Sequence, residues 1–323
     1  MADITIQPDV PRGWFTAVGI VQILLGAVLA LLMVASVAMS SMVQAQGPSG
    51  HRWFSLLVTM ITYGGLAALF IACGAGILKP RRWAHRLMNI VSWLWLASDA
   101  IGFVVMTLFL PGMLRGNFAE QGLPESTAGT VLTVVFVVFS ILCLAVPGLV
   151  ALFYSLRSVR RTVDSLDPKP SWTDACPPSV LGLAGLYALG ALMSLAAFPI
   201  GAFPLFGLVI SGFPASVLIL ASAGFSAWLA YGCYRLRPAA FWSSAASTVL
   251  MSASAVATFI SSGLERFYAA AGYGPEQADM MRQFGLGAPA ISWTVVVSAL
   301  GFLAYLWFVR KHFLDNTEIG KQP

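Results

Sequence analysis

The sequence predicts an all-α integral membrane protein: about eight transmembrane helices, arranged as two tandem, parallel four-helix repeats, with the N and C termini cytoplasmic. Three observations lead there. Composition is the first, because 58% hydrophobic residues, 10% charged residues and a mean hydropathy of +0.82 lie far from the balance of a water-soluble domain. Length is the second: 323 residues leave room for about eight spans of roughly 20 residues each with their connections. The third is a junction that occurs twice. Gly74-Ala75-Gly76-Ile77-Leu78-Lys79-Pro80 and Gly232-Cys233-Tyr234-Arg235-Leu236-Arg237-Pro238 share Gly, Leu and Pro at one spacing. Each ends an apolar run with positive charge and a proline, and an aromatic residue opens the next run.

The N-terminal stretch carries Asp3 and Asp9 where a secretory leader would be basic, and the apolar run Trp14–Val43 is far longer than a leader's core. It is therefore the first expected span, with Gly19 and Gly26 placed to let a neighbouring helix approach closely. A turn at Gln44–Pro48 follows. The second span runs from about Trp53 to Leu78 and places Ser55, Thr59 and Thr62 on one face. The basic loop Lys79–Arg86 leads to a third span, about Leu87 to Leu110, stopped by Pro111-Gly112. After a polar loop to Thr127, the fourth span runs to Tyr154 and should kink at Pro147.

Residues 156–178 contain four prolines and are expected to form an extended, solvated cytoplasmic linker in which Asp164, Asp167 and Asp174 match no calcium loop or catalytic dyad. The expected organisation is thus a first membrane repeat at 1–155, the linker, a second membrane repeat at 179–312 and a cytoplasmic tail at 313–323. In the second repeat a tight hairpin at Pro199–Pro204 separates a span from Ser179 to Phe198 from one at Leu205–Tyr234, bent at Pro214. The seventh span, Ala239–Ser262, spaces Ala240, Ser244, Thr248 and Ser252 four apart, a face suited to helix packing. A second polar loop, Gly263–Gly287, includes an amphipathic stretch at Glu276–Phe284 before the eighth span, Pro289–Phe308.

Charge sets the orientation. One side collects Arg12; Lys79, Arg81, Arg82 and Arg86; Arg157, Arg160, Arg161 and Lys169; Arg235 and Arg237; Arg310, Lys311 and Lys321. The other holds Arg52, Arg115, Arg266 and Arg282. By the positive-inside rule the first side is cytoplasmic. An even number of spans per repeat then gives both repeats one orientation, so the pseudo-two-fold axis runs along the membrane normal. The net charge of +5 therefore reports topology, and no nucleic-acid partner is expected. The expected surroundings are the lipid bilayer of the cell (inner or plasma) membrane, with a membrane-protein partner or a second copy of the chain. The preponderance of Arg over Lys suits a GC-rich bacterial genome.

Asp99 is the acid that falls well inside an expected span. An ionised Asp there costs roughly 2.5–3.5 kcal/mol, so it must face protein or water, and it is the default site candidate. Ser92 lies seven residues earlier on the same face, and Ser98 adjoins Asp99. No catalytic, cofactor or metal site is expected. His51, His85 and His312 fall outside the expected spans and far apart, and no zinc-protease, nucleophile-elbow or Walker motif is present. The cysteines, Cys73, Cys143, Cys176 and Cys233, fit packing roles. The basic cluster Lys79, Arg81, Arg82 and Arg86 is expected to set topology, with the binding of anionic lipid headgroups as the alternative role, which does not exclude the first. Two functions remain: a non-enzymatic membrane scaffold or accessory subunit, supported by sparse intramembrane polarity, and a small-solute or proton/cation-coupled transporter with Asp99 in its pathway. An enzyme is not expected, since catalysis needs at least two cooperating groups.

Overall fold

Among the described residues of the computed structural model, eight helices are long and apolar enough to cross a membrane: Arg12–Ala38, Leu56–Leu78, Arg82–Val104, Gly129–Ser155, Pro178–Ile200, Phe213–Tyr234, Pro238–Ser261 and Ile291–Val309. The chain is a multi-pass helical membrane protein. The structure describes residues 10–43, 56–120, 125–261, 263–271 and 288–314. The expected turn at Gln44–Pro48, Ser55 and the amphipathic stretch Glu276–Phe284 lie outside the described residues.

Helix α1 (Arg12–Val43) packs along α2 (Gly65–Leu78). Small residues make the approach possible: a Cβ on Gly74 would lie 2.8 Å from the Gly19 carbonyl oxygen, and one on Gly26 would lie 2.9 Å from that of Ala67. A π-helical turn at Met60–Gly64 precedes α2, so Thr59 and Thr62 do not continue one regular helical face.

Helix α3 (Arg82–Glu120) departs from expectation at both ends. It begins before His85, which is thereby inside a span and buried. It also continues through Pro111, which the sequence suggested as a stop. In an apolar setting a single lost backbone bond is cheaper than opening the helix and orphaning several. The fourth span combines α4 (Glu125–Phe139), a π-helical turn (Ser140–Ala145) and α5 (Val146–Ser155). Pro147 stands in the first turn of α5, directly after that widened turn, which supplies the irregularity expected at the proline.

The stretch after α5 is not extended. Leu156 is in a β conformation and turns the chain into α6 (Arg157–Leu166), whose Val159, Thr162 and Val163 are buried. A short 3₁₀ turn at Trp172–Asp174, closed by a capping box from Ser171, leads to α7 (Pro178–Ala197). The prolines expected to keep this stretch extended fall after α6 and at the first turn of α7, where proline lacks no needed donor.

A second departure follows α7. Residues read as the start of a bent sixth span form an antiparallel hairpin, β1 (Ala202–Leu205) and β2 (Leu208–Ser211), with Ala202 opposite Ser211. Its turn places Phe206 at φ 41° and Gly207 at φ 89°. Helix α8 (Phe213–Tyr234) starts only afterwards, and Pro214 lies in its first turn rather than bending its middle. Helices α9 (Pro238–Ser261), α10 (Gly263–Ala270), α11 (Ala288–Val309) and α12 (Lys311–Leu314) complete the described chain. Helix α7 packs along α8, and α9 along α11.

The repeated junction closes with the same backbone bond in both places. Arg81 N–H donates to Gly76 C=O and Arg237 N–H to Gly232 C=O, each at 2.9 Å. This is the long bond of a Schellman motif. At the second junction Leu236, left-handed at φ 55°, adds the inner bond to Cys233. Pro80 has no N–H to do the same. The structural match therefore sets Gly76, not Gly74, against Gly232, two residues from the register the residue types suggested. Buried positions recur at that offset: Cys73, Ile77, Ala84 and Met88 in one half, Leu229, Cys233, Ala240 and Ser244 in the other. Phe15, Gly19 and Gly26 of α1 are likewise buried at the intervals of Val180, Ala184 and Ala191 of α7.

Candidate functional site

Asp99 sits midway along the apolar part of α3 and is half-buried. The Trp95 side chain stands one turn earlier on the same helix and meets Phe70 of α2 edge-on at 6.0 Å. Helix α3 packs against the π-helical turn Ser140–Ala145, which carries Cys143. The residues that the sequence grouped with Asp99 are not gathered there. Ser92 is fully buried and donates to the Asn89 carbonyl of its own helix at 3.0 Å, while Ser98 is exposed.

A second polar cluster lies where α1, α2, α3 and α5 meet. Gln22 Nε2 donates to the Tyr154 hydroxyl at 2.5 Å, and the His85 ring stands 5.6 Å from the Tyr154 ring. Gln22 is 4% exposed and His85 5%. Among the described residues, Gln22 Oε1 and His85 Nε2 have no hydrogen-bond partner. Gln22 carried the detectable signal, an amide in the middle of a 32-residue apolar helix. His85 was hidden because the start of α3 was placed too late. In the other half, Tyr187 of α7 bonds Ser244 of α9, while Phe241 occupies the position matching His85.

Three residues of the basic cluster meet carboxylates. Arg82 Nε lies 2.9 Å from Asp164 Oδ1, and the Arg82 backbone N–H donates to Asp167 Oδ2 at 3.2 Å. Arg86 Nη1 lies 2.5 Å from Asp174 Oδ1 and donates to the Thr173 carbonyl, and Arg81 lies 3.8 Å from Asp167. The three acids of the supposed linker thus face three of the four basic residues, and Lys79 has no carboxylate within ion-pair distance among the described residues. Beside them Cys176 is buried, which pushes its thiol up to about 11 against an opposing pull from Arg86. No group of three metal-ligating side chains occurs among the described residues.

On the opposite end of the second half, the hairpin tip is pinned by α9. Phe206 N–H donates to Ser254 Oγ at 2.9 Å and Gly207 N–H to Thr258 Oγ1 at 3.0 Å. Ser254 and Thr258 are buried. The small residues of α9 thus serve a strand turn as well as neighbouring helices. Elsewhere on α9, Trp242, Ala245, Ala246, Val249, Leu250 and Ala253 line a shallow outward hollow of about 490 Å³.

Compared with protein families, curated proteins and solved structures, the chain matches none.

Proposed function

We propose that this protein is a non-enzymatic scaffold or accessory subunit of the cell (inner or plasma) membrane, built as a tandem duplication with both termini cytoplasmic. One observation carries the functional reading. Among the described residues, the polar side chains inside the bundle bond in separate places, Gln22 to Tyr154, Tyr187 to Ser244 and Ser254 to the hairpin tip, and none of these includes Asp99, instead of converging at one depth as a solute site requires. The outward hollow on α9, where Ala245, Ala246 and Ala253 lie between the larger Trp242, Val249 and Leu250, suits a helix of a partner or of a second copy. The matched Schellman bonds and the shared offset of buried positions support the duplication, and the distribution of basic residues supports the orientation.

One observation favours a proton- or cation-coupled transporter: the helix that carries Asp99 packs against a π-helical turn, a feature that recurs at functional sites. Proton flux in proteoliposomes with an internal pH dye, under an imposed potential, separates the two readings. The scaffold reading expects wild type and Asp99→Asn to match empty vesicles. A flux that Asp99→Asn abolishes would establish transport. Filling the hollow with Ala246→Leu and Ala253→Leu should shift the native-gel mobility of the solubilised assembly under the scaffold reading.

A further inference from the structure

The two Schellman junctions carry equivalent arginines in unlike surroundings. At the α2–α3 junction Arg81 faces Asp167, and its neighbours Arg82 and Arg86 face Asp164 and Asp174. At the α8–α9 junction the same turn presents Arg235 and Arg237, both exposed, and no carboxylate among the described residues lies within ion-pair distance of either. These arginines open instead onto a hollow of about 400 Å³, lined by Ala175, Tyr234, Arg235, Leu236 and Arg237. Its walls are fixed. The Tyr234 hydroxyl donates to the Trp172 carbonyl at 3.2 Å, tying α8 to the 3₁₀ turn, and the Arg237 guanidinium rests over the Tyr231 ring at 5.4 Å.

We propose that this hollow binds the phosphate of an anionic phospholipid headgroup, which does for the second junction what the Asp167 carboxylate does for the first. The first junction shows which chemistry the turn accepts, an oxyanion beside its arginines. The guanidinium fork suits phosphate at least as well as carboxylate. The junction joins two membrane-crossing helices, so the hollow opens at the level of the headgroups, and each basic residue near such a surface contributes about 1 kcal/mol to holding anionic lipid. At the first junction, by contrast, Arg81, Arg82 and Arg86 already face Asp167, Asp164 and Asp174.

Native mass spectrometry of the full chain, solubilised with phosphatidylglycerol or with phosphatidylcholine, tests this. The expected result is one phosphatidylglycerol retained per chain beyond the number of phosphatidylcholines. Arg235→Gln combined with Arg237→Gln should lose it, and Arg81→Gln should keep it. Ala175→Glu, which puts a carboxylate into the hollow and leaves both arginines in place, should also lose it. Equal retention of the two lipids, or unchanged retention in both the double variant and Ala175→Glu, would overturn the proposal. Displacement of the retained lipid by inorganic phosphate at equal concentration would overturn it as well, by reassigning the hollow to a soluble oxyanion.

Discussion

Gly76 and Ala84 stand so close across the α2–α3 turn that a Cβ on Gly76 would lie 2.5 Å from the Ala84 Cβ, and Gly232 and Ala240 repeat the relationship at 2.6 Å. Neither pair has room for a second methyl. Gly76→Ala and Gly232→Ala should each cost about 1–3 kcal/mol through overpacking. Thermal unfolding in detergent measures the loss. Gly232→Ala combined with Ala240→Gly should recover most of it, because the Ala240 methyl is the one side-chain atom that the added Cβ would meet there; a double variant no better than the single would show that the contact is not the cause.

The polar cluster of the first half separates two kinds of change. Tyr154→Phe removes the acceptor of a buried amide and should cost about 1–3 kcal/mol. Gln22→Leu combined with Tyr154→Phe removes both partners together with the unpartnered Oε1, and should be close to neutral. Denaturation of the two variants side by side shows whether the order holds.

Ser254→Ala and Thr258→Val should free the hairpin tip, since each leaves a backbone N–H without its acceptor. Faster hydrogen exchange at Phe206 and Gly207, with loss of about 1–3 kcal/mol, is the expected outcome. Thr258→Ser keeps the hydroxyl and should leave exchange at Gly207 slow.

Asp164 and Arg82 form the best-aligned pair of the basic face, with side chains 34% and 21% exposed. A double-mutant cycle with Arg82→Gln and Asp164→Asn should give a coupling of about 1 kcal/mol, reduced by salt because the pair remains in contact with solvent. A coupling of zero would make α6 docked by Val159 and Val163 alone.

Cys176 predicts a pH dependence of definite sign. Burial favours its neutral thiol, so the folded value of about 11 lies above the ordinary 9.0. The corresponding stability is fully present below about pH 9 and is lost as pH rises through about 11. Site-resolved alkylation should find Cys176 slow at pH 8 in the folded protein and fast after unfolding.

What the sequence disclosed and what it hid follow one physical rule. Apolar length is written locally, so the eight crossing helices could be found from hydropathy, and the small residues Gly19 and Gly26 announced the close packing of α1. Proline was ambiguous. Pro80 ended a helix as expected, but Pro214 and Pro147 begin helices and Pro111 lies within one, because a missing N–H matters only where a donor is needed. Asp164, Asp167 and Asp174 looked solvated because their partners are some 80 residues away in the chain, and no local pattern records such pairing. Asp99 was visible as an acid in an apolar run, whereas the packing of its helix against the turn that carries Cys143 depended on how two distant segments meet. The junction match was found two residues out of register, because residue types were aligned where the turn aligns a backbone bond.

The hairpin also sets an order on assembly. Its tip amides emerge from the ribosome well before Ser254 and Thr258, the hydroxyls that accept from them, since all of α8 and most of α9 must be made in between. Until α9 arrives, those amides have only water to bond, and the hairpin is held at the surface. Insertion of the seventh span therefore acts as the closing step for the fifth and sixth, and a chain interrupted before Ser254 should leave residues 202–211 open to protease.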